Sequence, residues 1–119
     1  MNFFSRNSAQ SWPTQTLQTI NAHTLKQYLD QQSVVLVDVR EVGEYAAGHI
    51  AGATLVPLSS FDPQKIPSSP NQTVVVYCRS GQRSAMAAQK LLNAGFSNLA
   101  HLENGINAWA RAGYPVQVG

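Results

Sequence analysis

Cysteine is nearly absent from this chain: Cys78 is the only one in 119 residues. A single thiol rules out an internal disulfide. No cysteine–histidine spacing suited to zinc is present either, so neither a metal nor another cofactor is expected. Charge is sparse as well. Charged residues make up 12% of the chain, and eight basic against six acidic residues leave a formal charge of +2. Basic residues spread this thinly leave no nucleic-acid footprint, which needs clustered lysine and arginine. Their one local concentration is Arg79 with Arg83. Apolar runs long enough to span a bilayer are missing, so no membrane partner is expected. The opening MNFFSRNSAQSWPTQ lacks the long apolar segment and cleavage site of a signal peptide, which makes the cytoplasm the expected compartment. Repeats and low-complexity runs are also missing.

What is present suits an ordinary globular domain. Apolar residues make up 44% of the chain, and a domain of this length buries roughly two thirds of its unfolded surface. Residues 1–15 read as a weakly ordered tail, although Phe3, Phe4 and Trp12 are unusual in so polar a stretch. Residues 16–117 read as a single domain, expected to be a monomer. Within it TLQTI (16–20) suits a short edge strand. Asn21 is a good N-cap for a helix of about ten residues carrying Leu25, Tyr28 and Leu29 on one stripe. SVVLVDV (33–39) and QTVVVYC (72–78) are near-continuous apolar runs, the mark of strands buried on both faces of a parallel sheet. Asp38 with Glu41 fits a capping box ahead of a short helix, EVGEYAAG. ATLVP (53–57) reads as a strand closed by proline, and Pro63, Pro67 and Pro70 mark a surface connection over 59–71. RSAMAAQKLLNAG reads as a helix stopped at Gly95, FSNLAHL as a strand, and NGINAWARAG as a last helix. Strands alternating with helices predict an α/β fold: one mainly parallel sheet of about five strands, flanked by helices on both faces. Sites in such sheets lie at the carboxyl ends of the strands. Asp38, Arg40 and Cys78 all stand there.

The loop CRSGQR (78–83) must turn back within six residues between a strand and a helix opening at Ser84, and Gly81 supplies the freedom for that turn. A loop wound this tightly ahead of a helix points several N–H groups into a concave nest, and the helix end adds positive potential. An unperturbed thiol has a pKa of about 8.5, so only a few per cent is thiolate at neutral pH. Lowering that value by roughly two units takes about 2.7 kcal/mol of preferential stabilisation of the anion, which helix ends and arginines supply in reactive cysteines. With Arg79 and Arg83 flanking it, Cys78 therefore reads as a nucleophile in an anion-binding loop, in preference to an inert buried residue.

CRSGQRS resembles the active-site loop of the rhodanese family of sulfurtransferases. DVREVGEY (38–45), GHIAGATLVP (48–57) and LENGINAWARAGYPV (102–116) resemble three further segments of that family, in its order and spacing, over roughly residues 16–117. One departure is Asn104, where the family usually has glycine; asparagine is the best substitute in such a turn. The resemblance implies a rhodanese-like fold and a double displacement. Cys78 would take the outer sulfur of a small anionic donor such as thiosulfate as a persulfide, then yield it to cyanide or a thiol. It implies a binding loop of Arg79, Ser80, Gly81, Gln82, Arg83 and Ser84. The arginines would attract the donor, Arg83 partly bracing the loop, and Ser80 and Ser84 would bond the persulfide unless Ser84 is merely the helix cap.

Other readings remain open. A persulfide carrier for a partner enzyme would share the Cys78 chemistry and differ only in its acceptor. A non-catalytic regulatory module is another, although such modules commonly lack the cysteine. Phosphatases and arsenate reductases use Cys-x5-Arg loops, but only four residues separate Cys78 from Arg83, and the tighter ring suits one extra sulfur better than a tetrahedral oxyanion. Asp38 and Arg40 are expected to brace the sheet edge as an ion pair. Glu41 and Glu44 are expected to favour a helix dipole, His49 to be structural, and Trp109 to pack in the core. His23 and His101 carry no signal.

Overall fold

The computed structural model describes residues 17–67 and 71–119; the expected tail with Phe3, Phe4 and Trp12 lies outside them, as does Pro70. The two valine-rich runs form β2 (Val34–Asp38) and β4 (Thr73–Tyr77), paired in parallel from Val34↔Thr73 to Asp38↔Tyr77 at the centre of the sheet. Outside them lie β1 (Leu17–Ile20), β3 (Thr54–Leu55) and β5 (Leu99–Leu102). The spatial order is β1-β5-β4-β2-β3, and every pairing in this five-stranded sheet is parallel. Each strand therefore returns through a crossover, which is why helices alternate with strands along the chain.

Strand alternation divides the core into two layers. Leu36, Val75, Tyr77, Ala100 and Leu102 face Leu25 of α1 (Ala22–Asp30) and Ile106 and Trp109 of α4 (Gly105–Arg111). On the opposite face Val37, Val74, Val76, Cys78 and Leu99 meet Ala87, Ala88 and Leu91 of α3 (Gln82–Asn93). Asn21 caps α1 through its side chain, 2.9 Å from Thr24 N. The N–H groups of Gly95 and Phe96 close the end of α3 on Leu92 and Leu91.

Two local expectations fail. The capping box belongs to Glu41 and Glu44, around α2 (Val42–Ala47), and Asp38 has no part in it. Asp38 is buried in an ion pair with Arg40, whose stronger demand takes the carboxylate inward. Nor does Ser84 open α3: Gly81 is the N-cap at φ +117°, and Ser84 is already inside the first turn. A left-handed cap without a side chain lets the helix begin four residues after the cysteine. No helix among the described residues is long and apolar enough to cross a membrane.

Candidate active site

Cys78 leaves β4 with its side chain on the α3 face of the sheet, and the residue is only 1% exposed. Gly81 N donates to Sγ at 3.1 Å, and the Ser84 hydroxyl lies 3.6 Å away. The loop carbonyls point elsewhere. Ile106 N, in the first turn of α4, donates to Cys78 O at 2.9 Å, and Asn107 N donates to Arg79 O at 3.1 Å. With its carbonyls engaged outward, the loop turns its N–H groups toward the sulfur. Burial pushes the Cys78 thiol up, but the backbone N–H groups of Ser84, Gly81 and Ser80 and the Ser84 hydroxyl more than reverse that, leaving a net downward shift.

Two left-handed residues make the fit possible. Asn104 caps α4 at φ +59°, and Gly105 follows at φ +56°. A Cβ on Gly105 would overlap the carbonyl oxygens of Cys78 and Arg79. The last helix thus reaches the cysteine loop only because residue 105 has no side chain.

Arg83 does not point freely at the sulfur. Its Nη1 and Nη2 donate to the two carboxylate oxygens of Glu44 at 2.7 and 2.9 Å. The Arg83 hydrogen bonds, working against burial, hold the Glu44 carboxyl down at about 2, and the Arg83 pKa is raised in turn. Glu44, expected only as a first-turn helix acid, is therefore the anchor of the cysteine loop's second arginine. Arg79 is 65% exposed, 3.7 Å from the same carboxylate. It borders an open cleft of about 470 Å³ beside the loop, shared with Arg40, Glu44, Gly48, Asn107 and Val116. Ser80 and Gln82 are exposed.

Asp38 and Arg40 lie beneath this cleft and do form the expected ion pair. Arg40 Nη2 reaches Asp38 Oδ2 and Gly48 O, both at 2.7 Å, and the guanidinium lies 5.6 Å from the Tyr77 ring centre. Burial lowers the Arg40 pKa, but Asp38 more than reverses it, so the net shift is upward. His49 is structural, as expected: it is buried, stacked on Tyr45, with Nδ1 2.9 Å from Tyr45 O. Trp109 is in the core.

His101 was missed. Its Nδ1 lies 3.3 Å from Ser84 Oγ, placing it one residue beyond the sulfur's own partner. The sequence did hold a signal for it. Leu102 and Ala100 face the α4 layer, so His101 between them faces α3, and it pairs with Val76, two residues before Cys78 on the same face.

A family model for the rhodanese-like domain matches residues 21–112. The chain is 45% identical over 102 residues to an uncharacterised protein of Synechocystis, covering 86% of this chain and 57% of that one. It is 38% identical to a sulfurtransferase of Allochromatium vinosum, covering 82% and 92% of the two chains. The crystal structure of a rhodanese-related protein of Thermoplasma volcanium superposes with a TM-score of 0.76 at 33% identity, covering 86% of this chain and 99% of that one. The chain thus spans little more than half of the Synechocystis protein. It spans only 26% of a probable adenylyltransferase/sulfurtransferase of Mycobacterium tuberculosis.

Proposed function

The chain belongs to the family of rhodanese-like domains, and from that premise we propose that it transfers a sulfane sulfur through a persulfide on Cys78. The observation that carries this reading is the buried sulfur with Gly81 N at 3.1 Å while the loop carbonyls are held by α4. Such a nest stabilises an anion on sulfur without a metal ligand or a general base in direct contact. The thiolate attacks the outer sulfur of thiosulfate, a new S–S bond forms, and the donor's S–S bond breaks to release sulfite. The charge then sits on the terminal persulfide sulfur, which the same N–H groups face. A thiol or cyanide attacks that sulfur and returns the Cys78 thiolate. Arg79, exposed at the rim, attracts the anionic donor, and Ser80 and Gln82 border its approach. Arg83, held at both nitrogens by Glu44, braces the loop. That bracing also weighs against a phosphatase, which needs its loop arginine turned onto the phosphate oxygens.

Intact mass after incubation with thiosulfate tests the reading. The wild-type chain is expected to gain one sulfur, to lose it on addition of cyanide or a small thiol, and Cys78→Ala to gain none. A wild type that gains no sulfur, or a Cys78→Ala variant that gains it equally, overturns the persulfide. Sulfur that stays on the chain against every small acceptor would point to a carrier serving a partner protein.

A further inference from the structure

Four side chains stand in line on the α3 side of the sheet, from the buried sulfur to the surface. Ser84 Oγ lies 3.6 Å from Cys78 Sγ and 3.3 Å from His101 Nδ1, and His101 Nε2 lies 3.2 Å from Thr19 Oγ1 on the exposed edge strand β1. Ser84 has a single hydroxyl proton and three claimants for it. The sulfur is one, His101 Nδ1 is another, and Gly81 O is the third at 3.1 Å. Gly81 O already accepts from Ala85 N at 3.1 Å, so it loses no obligatory partner when the hydroxyl turns away. What decides the hydroxyl's direction is then the proton on the imidazole.

We propose that His101 is a positioning residue for the reactive thiol, its Nδ1–H donating to Ser84 Oγ so that the Ser84 hydroxyl is left to donate to the Cys78 thiolate. The proposal rests on Cys78 as the reacting group and adds to it a donor that the loop backbone does not supply. In the thiol state Sγ–H donates to Ser84 Oγ, Ser84 donates to Nδ1 and Nε2–H donates to Thr19 Oγ1. In the thiolate state Ser84 donates to Sγ, Nδ1–H donates to Ser84 and Nε2 accepts from Thr19. Between the two, the thiol proton passes to Ser84, the Ser84 proton passes to Nδ1, and the Nε2 proton leaves to solvent at Thr19. One proton is lost and one negative charge appears on sulfur, which is the balance of a thiol ionisation.

The surroundings keep the ring in the neutral form this requires. Burial pulls the His101 pKa down, partly offset by Glu103 just past the end of its strand. From α3 the charged neighbour of the sulfur is Arg83, itself paired with Glu44 of α2, and the β1 neighbour of the ring is the uncharged Thr19.

The test is the rate of iodoacetamide alkylation of Cys78 against pH, in the full chain. His101→Phe keeps a ring of similar shape and loses both nitrogens. Without Nδ1–H to hold Ser84 Oγ, the hydroxyl is shared between Gly81 O and the thiolate. The apparent thiol pKa is then expected to rise by up to about one unit, so alkylation slows by up to roughly tenfold where the pH lies below that pKa and converges with wild type at high pH. With Ser84→Ala already in place, His101→Phe is expected to add nothing. Superimposable profiles overturn the proposal. So does equal slowing at every pH, or an undiminished shift in the Ser84→Ala background. A measurement on the wild type guards against a misfolded variant: the His101 NMR titration midpoint is expected to shift once Cys78 is alkylated, because the coupling is reciprocal. An unmoved midpoint overturns the proposal as well. Alkylation needs no sulfur donor. A shifted profile in a chain that takes no sulfur from thiosulfate would sink the transfer reading alone, and a flat profile in a chain that does would sink this one alone.

Discussion

Asp38 and Arg40 stand two residues apart at the end of β2, and the pair is almost wholly buried. Burying two charges is costly, and their attraction offsets that cost only when further hydrogen bonds complete the set. Here Arg40 also donates to Gly48 O, and Asp38 Oδ1 accepts from Arg40 N at 2.9 Å. Asp38→Ala leaves a buried guanidinium without its counter-charge and is expected to cost about 3–5 kcal/mol, read from urea unfolding. A loss under about 1 kcal/mol, the range of an exposed pair, would show that water reaches the site. The Asp-x-Arg spacing at the end of an apolar run made this pair legible in the sequence. The carbonyl of Gly48 that completes it was not, because it comes from the far end of α2.

At the scale of elements, the strands and helices were legible because buried parallel strands read as continuous apolar runs and the Asn21 and Gly95 signals at the ends of α1 and α3 are local. Contacts between elements distant in sequence were not legible, and the cysteine loop depends on one of them. Its outward carbonyls are held by α4, whose first turn can approach only because Gly105 lacks a Cβ. The Asn104–Gly105 pair signalled a left-handed turn but not what the turn packs against. Gly105→Ala would place a β-carbon on the loop carbonyls in a left-handed backbone. It is expected to cost more than about 2 kcal/mol and to slow Cys78 alkylation at neutral pH. Asn104→Gly relieves the same backbone without adding atoms and is expected to stay within about 0.5 kcal/mol of wild type. Thermal unfolding and alkylation of both variants check this, and a Gly105→Ala chain with wild-type reactivity would mean the loop does not need α4.

Across the whole molecule, α2 and α3 are tied beside the cysteine loop by Glu44 and Arg83, 39 residues apart. No local pattern announces a partner at that separation. The signal was only an acid and a base of opposite sign, each following a central strand of one parallel sheet. The pairing has a consequence for stability against pH. Glu44 is held at about 2 in the folded chain, against 4.5 for the ordinary group. Its folded pKa is depressed, so the unfolded chain binds the proton first on acidification. The stabilisation is therefore fully present above about 4.5 and is lost progressively as pH falls toward about 2. Both side chains are partly solvated, Glu44 22% and Arg83 34% exposed, so screening leaves the pair roughly 1 kcal/mol despite its two-pronged geometry. Glu44→Gln is expected to lower stability by that amount at neutral pH. The gap to wild type should then narrow steadily below about pH 4.5, as Glu44 of the wild type gives up its charge. Paired urea unfolding curves at neutral pH and in acid measure the gap directly. A gap of the same size at both would mean that Arg83 holds Glu44 by shape and not by charge.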